Sequence, residues 1–303
     1  MFVSKKKVTA LVLTLFMAIT FTSACGNEGQ SNQKSTNKNA DVKGPATIVV
    51  TYFPYADHLI ALGQVDRLAG VVNLKSLQNF KVYDSYLESG NIVDLGEQVS
   101  PEHIASLKPD LIIVSQNDKQ HVEQLSKIAT TVTVEATLDW QETIVAVARA
   151  IGEEAAAEQY ITKFQALQNE TATVIEKSGV KGKTALFAMP WEKSFNYWGS
   201  TRMSLYYEKL GFKPVDDLEK VGEISLEGIY ALNPDYIFIG KDYANASEIK
   251  LEDLGKSAIW NSLDAVKNNK VFEVDTEILG PLAMGQYKGL EYMNQLFSGT
   301  TSK

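Results

Sequence analysis

The chain carries the same unit twice. Residues 96–114 read GEQVSPEHIASLKPDLIIV and residues 222–239 read GEISLEGIYALNPDYIFI. With one gap opposite Gln98, 18 positions pair and nine are identical, so the two segments are copies of one supersecondary unit. Ser100 and Ser225 are placed to cap a short helix. Pro101 suits a first helical position. Ile104 with Leu107, and Ile229 with Leu232, stand three apart on one helical face. Pro109-Asp110 and Pro234-Asp235 stop the helix. The apolar runs 111–114 and 236–239 then have the character of buried strands. A unit repeated 125 residues further on predicts two matching lobes.

Each copy follows a further strand pattern, at 47–52 (TIVVTY) and at 184–189. More strands are expected at 68–72, 132–135 and 271–274, with helical patterns between them. Alternation of this kind predicts βαβ units. The expected fold is α/β, with two Rossmann-like lobes of mainly parallel sheet. Between them residues 153–177, EEAAAEQYITKFQALQNETATVIEK, place Tyr160, Ile161, Phe164 and Leu167 at helical spacing. At ~1.5 Å per residue that helix is about 37 Å long and reaches both lobes. The expected division is an N-terminal lobe at 45–152, a connecting helix at 153–178 and a C-terminal lobe at 179–303.

The first residues have a different character. Lys5, Lys6 and Lys7 precede 15 largely apolar, uncharged residues at 8–22, and then Ser23, Ala24 and Cys25. That layout predicts a signal peptide over 1–24. The apolar run is shorter than a bilayer span of ~20 residues. Cys25 is the sole cysteine and has no disulfide partner within the chain. The segment resembles a bacterial lipoprotein signal, in which the cysteine becomes the lipidated, palmitate-bearing first residue. Thr22 departs from that pattern, because such signals usually carry Leu there. Residues 26–44 contain no aromatic residue, Leu or Ile, and 25–44 is expected to be a flexible tether. Without the three lysines, 26 basic groups stand against 37 acidic ones. An acidic chain is a poor ligand for nucleic-acid phosphates.

Several stretches together point to a family: GQVDRLAGV (63–71), the repeat with its KPDLII core, LSKIA (125–129), LGF (210–212) and the segment 257–274. They resemble the substrate-binding proteins of bacterial ABC importers for iron–siderophore complexes and cobalamin. The resemblance implies an extracellular, lipid-anchored monomer on the outer face of the cytoplasmic membrane of a Gram-positive type bacterium. It would capture a ferric siderophore and pass it to a dimeric permease with its ATPase. Glu102 and Glu227, one in each copy of the repeat, would dock onto the two permease subunits. A glutamate in a first helical turn also complements the helix dipole, and the two roles are compatible.

The resemblance also implies a ligand cleft between the lobes, walled by segments just past the strands. Trp191, Tyr197, Trp198 and Arg202 cluster there in lobe two. Aromatic walls and a guanidinium suit a bulky complex with exposed oxygens. The chain has three arginines. Arg67 looks structural and Arg149 lies in an amphipathic helix, whereas Arg202 resembles the position that contacts hydroxamate oxygens. Tyr52, Tyr55, Lys119, Tyr243 and Tyr287 are further candidates, each equally compatible with a solvated surface. The scarcity of arginine favours a hydroxamate or mixed hydroxamate–carboxylate ligand, with haem and cobalamin open. No resident cofactor or directly bound metal is expected.

Two other classes compete. A zinc- or manganese-binding protein shares the two-lobe design, but only His58, His103 and His121 are present as imidazole ligands. An enzyme is not expected. There is no G-x-S-x-G elbow and no H-E-x-x-H. Residues 179–184 (GVKGKT) miss the phosphate-loop spacing and precede a strand.

Overall fold

The computed structural model describes residues 44–88, 90–136, 139–215, 221–243 and 247–299. The signal segment, Cys25 and the tether up to residue 43 lie outside the described residues. Lobe one is built on five strands: β1 (Ile48–Val50), β2 (Leu68–Val71), β3 (Val93–Asp94), β4 (Leu111–Ser115) and β5 (Thr130–Val134). Their order is β3-β2-β1-β4-β5 and every pairing is parallel. β1 and β4 are buried on both faces, which is why they read as unbroken apolar runs. Ile48, Val50, Leu111 and Ile113 pack against the helices Phe53–Ala61 and Trp140–Ile151. Val49, Ile112 and Val114 face the other way, toward Ile104 and Leu125.

Lobe two holds β6 (Thr184–Trp191), β7 (Ser194–Tyr197), β8 (Lys213–Pro214), β9 (Gly222–Ile224), β10 (Tyr236–Gly240) and β11 (Val271–Val274). The order is β11-β10-β6-β7-β9, with β8 also on β6. β6, β8, β10 and β11 pair in parallel, but β7 is antiparallel to both β6 and β9. The sequence pattern places the end of this strand at Met189, with a candidate cleft wall just past it. In fact β6 continues to Trp191 and turns back at once. Glu192 adopts φ +46°, and Trp191 pairs with Ser194. Two residues suffice for a hairpin, whereas a parallel crossover needs a dozen or more.

The repeated unit folds alike in both lobes. Ser100 Oγ accepts from the His103 N–H (3.3 Å) and Ser225 Oγ from the Gly228 N–H (3.1 Å), capping the helices Pro101–Ser106 and Leu226–Leu232. Lys108 and Asn233 turn the chain with φ +49° and +42°. The repeated aspartates do more than stop a helix. Asp110 Oδ2 accepts from the N–H groups of Ala46 (3.1 Å) and Thr47 (3.0 Å), just before β1. Asp235 Oδ2 accepts from the N–H (2.9 Å) and hydroxyl (3.1 Å) of Thr184, at the head of β6. Each copy is therefore pinned to the central strand of its own sheet.

The connecting helix runs over Glu154–Lys177, with Glu153 at its N-cap. Arg67 anchors its start. It donates to the Pro45 carbonyl (2.7 Å) and Gln64 Oε1 (2.8 Å) and pairs with Glu153 (3.3 Å), a structural role as the sequence suggested. The C-terminal helix, Ala283–Ser298, packs along the connector, and Tyr160 Oη donates to the Ala283 carbonyl (3.0 Å).

Candidate functional site

A cleft of about 740 Å³ opens between the two sheets. Its lobe-one wall starts where β1 ends. Tyr52 and Phe53 lead into a helix opened by Pro54, whose fixed φ suits a first helical turn. Tyr52 and Tyr55 meet edge to face at 5.3 Å. The Tyr55 hydroxyl donates to the Val134 carbonyl (2.8 Å), and burial pushes its pKa up to about 12. It therefore offers the cleft a ring and no free hydroxyl. Trp140, at the start of the next long helix, donates from Nε1 to Gln286 Oε1 (3.0 Å) and meets Phe164 of the connecting helix at 4.6 Å.

The lobe-two wall is set by the alternation of β7. Trp198, next after the strand, turns its ring to the cleft and to the cluster around Phe187. The Arg202 guanidinium lies 5.4 Å from the Trp198 ring centroid, within cation–π range. Burial lowers the Arg202 pKa and neighbouring Tyr243 raises it. The side chain stays charged, since an arginine begins far above neutrality. Among the described residues no hydrogen bond or ion pair takes up its donors. Tyr243 meets Phe80 of lobe one at 5.1 Å and so joins the two walls.

Among the described residues, the charged groups of the cleft are Arg202 and Lys209 against Asp139, Glu208 and Glu277. His58 lies in its floor, where burial drives its pKa down to about 3 and keeps it neutral. Among the described residues no three His, Cys, Asp or Glu side chains come together to hold a metal ion. No described helix is long and apolar enough to cross a membrane.

Of the residues singled out in the sequence, Arg202, Trp198, Tyr52, Tyr55 and Tyr243 line this cleft. Four others do not. Tyr197 precedes Trp198 by one residue and therefore points to the other face, against Leu186 and Ile237. Trp191 sits in the hairpin, half-buried. Lys119 is exposed on the turn Gln116–His121. Tyr287 faces Tyr160 at 5.8 Å and lines a separate hollow of about 500 Å³ behind the cleft. Glu102 and Glu227 are exposed at the first turns of the paired short helices. Trp140, Phe164, Glu208 and Lys209 also line the cleft, and the sequence pattern does not mark them. All four lie within or beside helical segments, and nothing local distinguishes a helix face that meets a cleft from one that meets a core.

Known proteins share this design. The family described as "Periplasmic binding protein" matches residues 48–278. The iron(3+)-hydroxamate-binding protein YxeB of Bacillus subtilis is 30% identical over 311 residues, covering 91% of this chain and 92% of YxeB. The petrobactin-binding protein YclQ of the same organism is 27% identical, covering 89% of this chain and 92% of YclQ. The crystal structure of FeuA from B. subtilis, a triscatecholate siderophore binding protein complexed with ferri-bacillibactin, superposes with a TM-score of 0.66 at 25% identity. It covers 89% of this chain and 99% of FeuA. These relatives are binding proteins, in keeping with the expectation that the chain is not an enzyme. With one family description spanning both sheets and relatives that align along most of its length, this chain belongs to the periplasmic binding protein family.

Proposed function

We propose that the chain captures a ferric siderophore of hydroxamate or mixed hydroxamate–carboxylate type outside the cytoplasmic membrane and delivers it to an ABC permease. The observation that carries this reading is Arg202, a charged guanidinium over Trp198 that has no hydrogen-bond or ion-pair partner among the described residues, in a cleft whose described lining holds two basic side chains against three acidic ones. A ferric trihydroxamate is close to neutral and presents oxygens that accept hydrogen bonds. A ferric tris-catecholate is a trianion and meets like charge on Asp139, Glu208 and Glu277, which disfavours it. The rings of Tyr52, Trp140, Trp198 and Tyr243 supply apolar walls for the organic part of the complex. The relatives' ligands differ among hydroxamate, petrobactin and bacillibactin, so the choice of class rests on the cleft.

Delivery requires the protein to stay near its permease. Lipidation at Cys25 supplies that anchor, and exposed Glu102 and Glu227 supply two equivalent acidic contacts for two permease subunits. The test is intrinsic tryptophan fluorescence titrated with ferrichrome, ferrioxamine B, ferric citrate, ferri-bacillibactin, haem, cobalamin, zinc and manganese. Saturable quenching by the hydroxamates at the lowest concentration is expected. A stronger response to haem, cobalamin, a catecholate complex or a bare metal overturns the assignment.

A further inference from the structure

Two carboxylates cross the joint between the lobes in opposite directions. Asp57 of lobe one, on the helix Phe53–Ala61, is fully buried. It accepts from the N–H groups of Ala283 (2.9 Å) and Met284 (3.1 Å), which open the C-terminal helix. Glu277, in the turn after β11, is 7% exposed and accepts from the Val82 N–H of lobe one (3.1 Å). Among the described residues neither has a buried cation for a partner. His58 Nδ1 is 3.5 Å from Asp57 Oδ2, but its imidazole is neutral. Lys81, the base that acts on Glu277, is exposed. A buried carboxylate without a cation is costly unless other donors hold it. Here those donors are backbone N–H groups of the opposite lobe, with the Tyr83 hydroxyl on Asp57 (2.8 Å).

A Cβ at Gly285 would collide with the Glu277 carbonyl oxygen, and one at Gly289 with Tyr206 Oη. Tyr206 donates to the Ile278 carbonyl (2.6 Å). The C-terminal helix thus lies directly on the turn that carries Glu277. His58, Tyr83, Glu277 and Leu282 also line the ligand cleft, so this joint is the cleft floor.

We propose that Asp57 and Glu277 are positioning residues, whose exchanged hydrogen bonds set the separation of the lobes in the empty protein and so prepare the cleft before ligand arrives. The connecting helix joins the lobes along one side, and ring contacts such as Tyr243 with Phe80 join them across the cleft. Three hydrogen bonds, two to Asp57 and one to Glu277, run in opposite directions across the floor and add to the resistance against rotation. Without them open arrangements compete with the prepared one, and apparent affinity falls in proportion to the prepared fraction. The proposal borrows the siderophore reading only for its choice of probe.

The test is a pair of spin labels at Gln124→Cys in lobe one and Glu252→Cys in lobe two, both exposed sites, in the full chain carrying Cys25→Ser. Distances are measured by double electron–electron resonance with and without ferrioxamine B. The parent should show one narrow distance in both conditions. Asp57→Ala with Glu277→Ala should broaden the distribution in the empty chain, and ferrioxamine B should narrow it again. If one molecule in ten remains prepared, affinity weakens about tenfold. Asp57→Asn with native Glu277 keeps one acceptor oxygen at the joint and the Val82–Glu277 bond, and should give a distribution narrower than that of the double variant. A parent-like distribution in the double variant, or in Glu277→Ala alone when the double variant does not fold, overturns the proposal. So does a parent whose distance shifts on binding. Failure of ferrioxamine B to bind the parent would count against the siderophore reading alone, because the distances in the empty chains stand by themselves.

Discussion

On the proposed reading, replacing Arg202 by alanine removes a charged donor that meets the ligand. The guanidinium has no hydrogen-bond or ion-pair partner among the described residues, and in the empty cleft it lies over the Trp198 ring. Loss of that contact counts toward stability, and loss of a ligand contact counts toward affinity. What the complex loses is a charge-assisted hydrogen bond to a ligand oxygen, worth ~1.5–3 kcal/mol. Affinity for a ferric trihydroxamate should fall roughly tenfold to a hundredfold. The stability cost is that of an exposed cation–π contact, ~0.5–1 kcal/mol, or about 1–4 °C in melting temperature for a domain of this size. Arg202→Lys keeps the charge and loses the planar fork, so its affinity should lie between the two. Isothermal titration calorimetry reads the affinity without relying on Trp198 as a reporter, and calorimetric melting reads the stability. An affinity within twofold of the parent would remove Arg202 from the site. A melting temperature lowered by more than about 10 °C would show that the residue serves the fold.

Three further outcomes are expected. Glu102→Lys with Glu227→Lys should leave ferrioxamine B affinity near that of the parent and sharply reduce uptake in cells, because like charges at an interface cost several kcal/mol. Full uptake in that variant would end the docking assignment. Cys25→Ser should release soluble protein or leave an uncleaved precursor, as fractionation would show; normal membrane retention contradicts lipidation. Burial pushes Asp57 up to about 6 from an ordinary 3.8, so the folded chain keeps this proton where the unfolded chain has lost it. Its contribution to stability is then complete below pH ~4 and declines as pH rises through about 6, by roughly 3 kcal/mol in all. His58, Tyr83 and Tyr160 face it and stay neutral throughout, while Glu277 is shifted upward by burial too. Urea unfolding at pH 4 to 7 in a Glu277→Gln background isolates Asp57. Asp57→Asn should flatten the decline, and an unchanged profile would refute the burial argument.

Much of the architecture is legible without coordinates, because its signals are local. The repeat at 96–114 and 222–239 places a capped helix and a buried strand in each lobe, and both form as written. The connecting helix shows in 3.6-residue spacing, and it spans Glu154–Lys177 against an expected 153–178, with Glu153 and Ser178 as its caps. The central parallel strands show as continuous apolar runs, since helices cover both their faces. The site is legible in part. Arg202, Trp198, Tyr52, Tyr55 and Tyr243 sit just past strand ends, where open α/β sheets bind ligands.

Which face a residue takes in the hairpin after Met189 depends on a turn of two residues, and a shift of one exchanges the faces. Tyr197 and Trp198 were therefore indistinguishable in sequence, and strand register decided between them. The repeated Asp110 and Asp235 were visible, but their partners at Thr47 and Thr184 lie 63 and 51 residues away. Asp57 lies 226 residues from Ala283, and nothing near it in the chain marks it as the cap of a distant helix. Periodicity and capping act over a few residues, so the sequence by itself determined the two lobes, their strands and the helix between them. Partners brought together by chain closure carry no local signature. Only the tertiary structure decided which side chains face the cleft, and which buried carboxylates hold the two lobes around it.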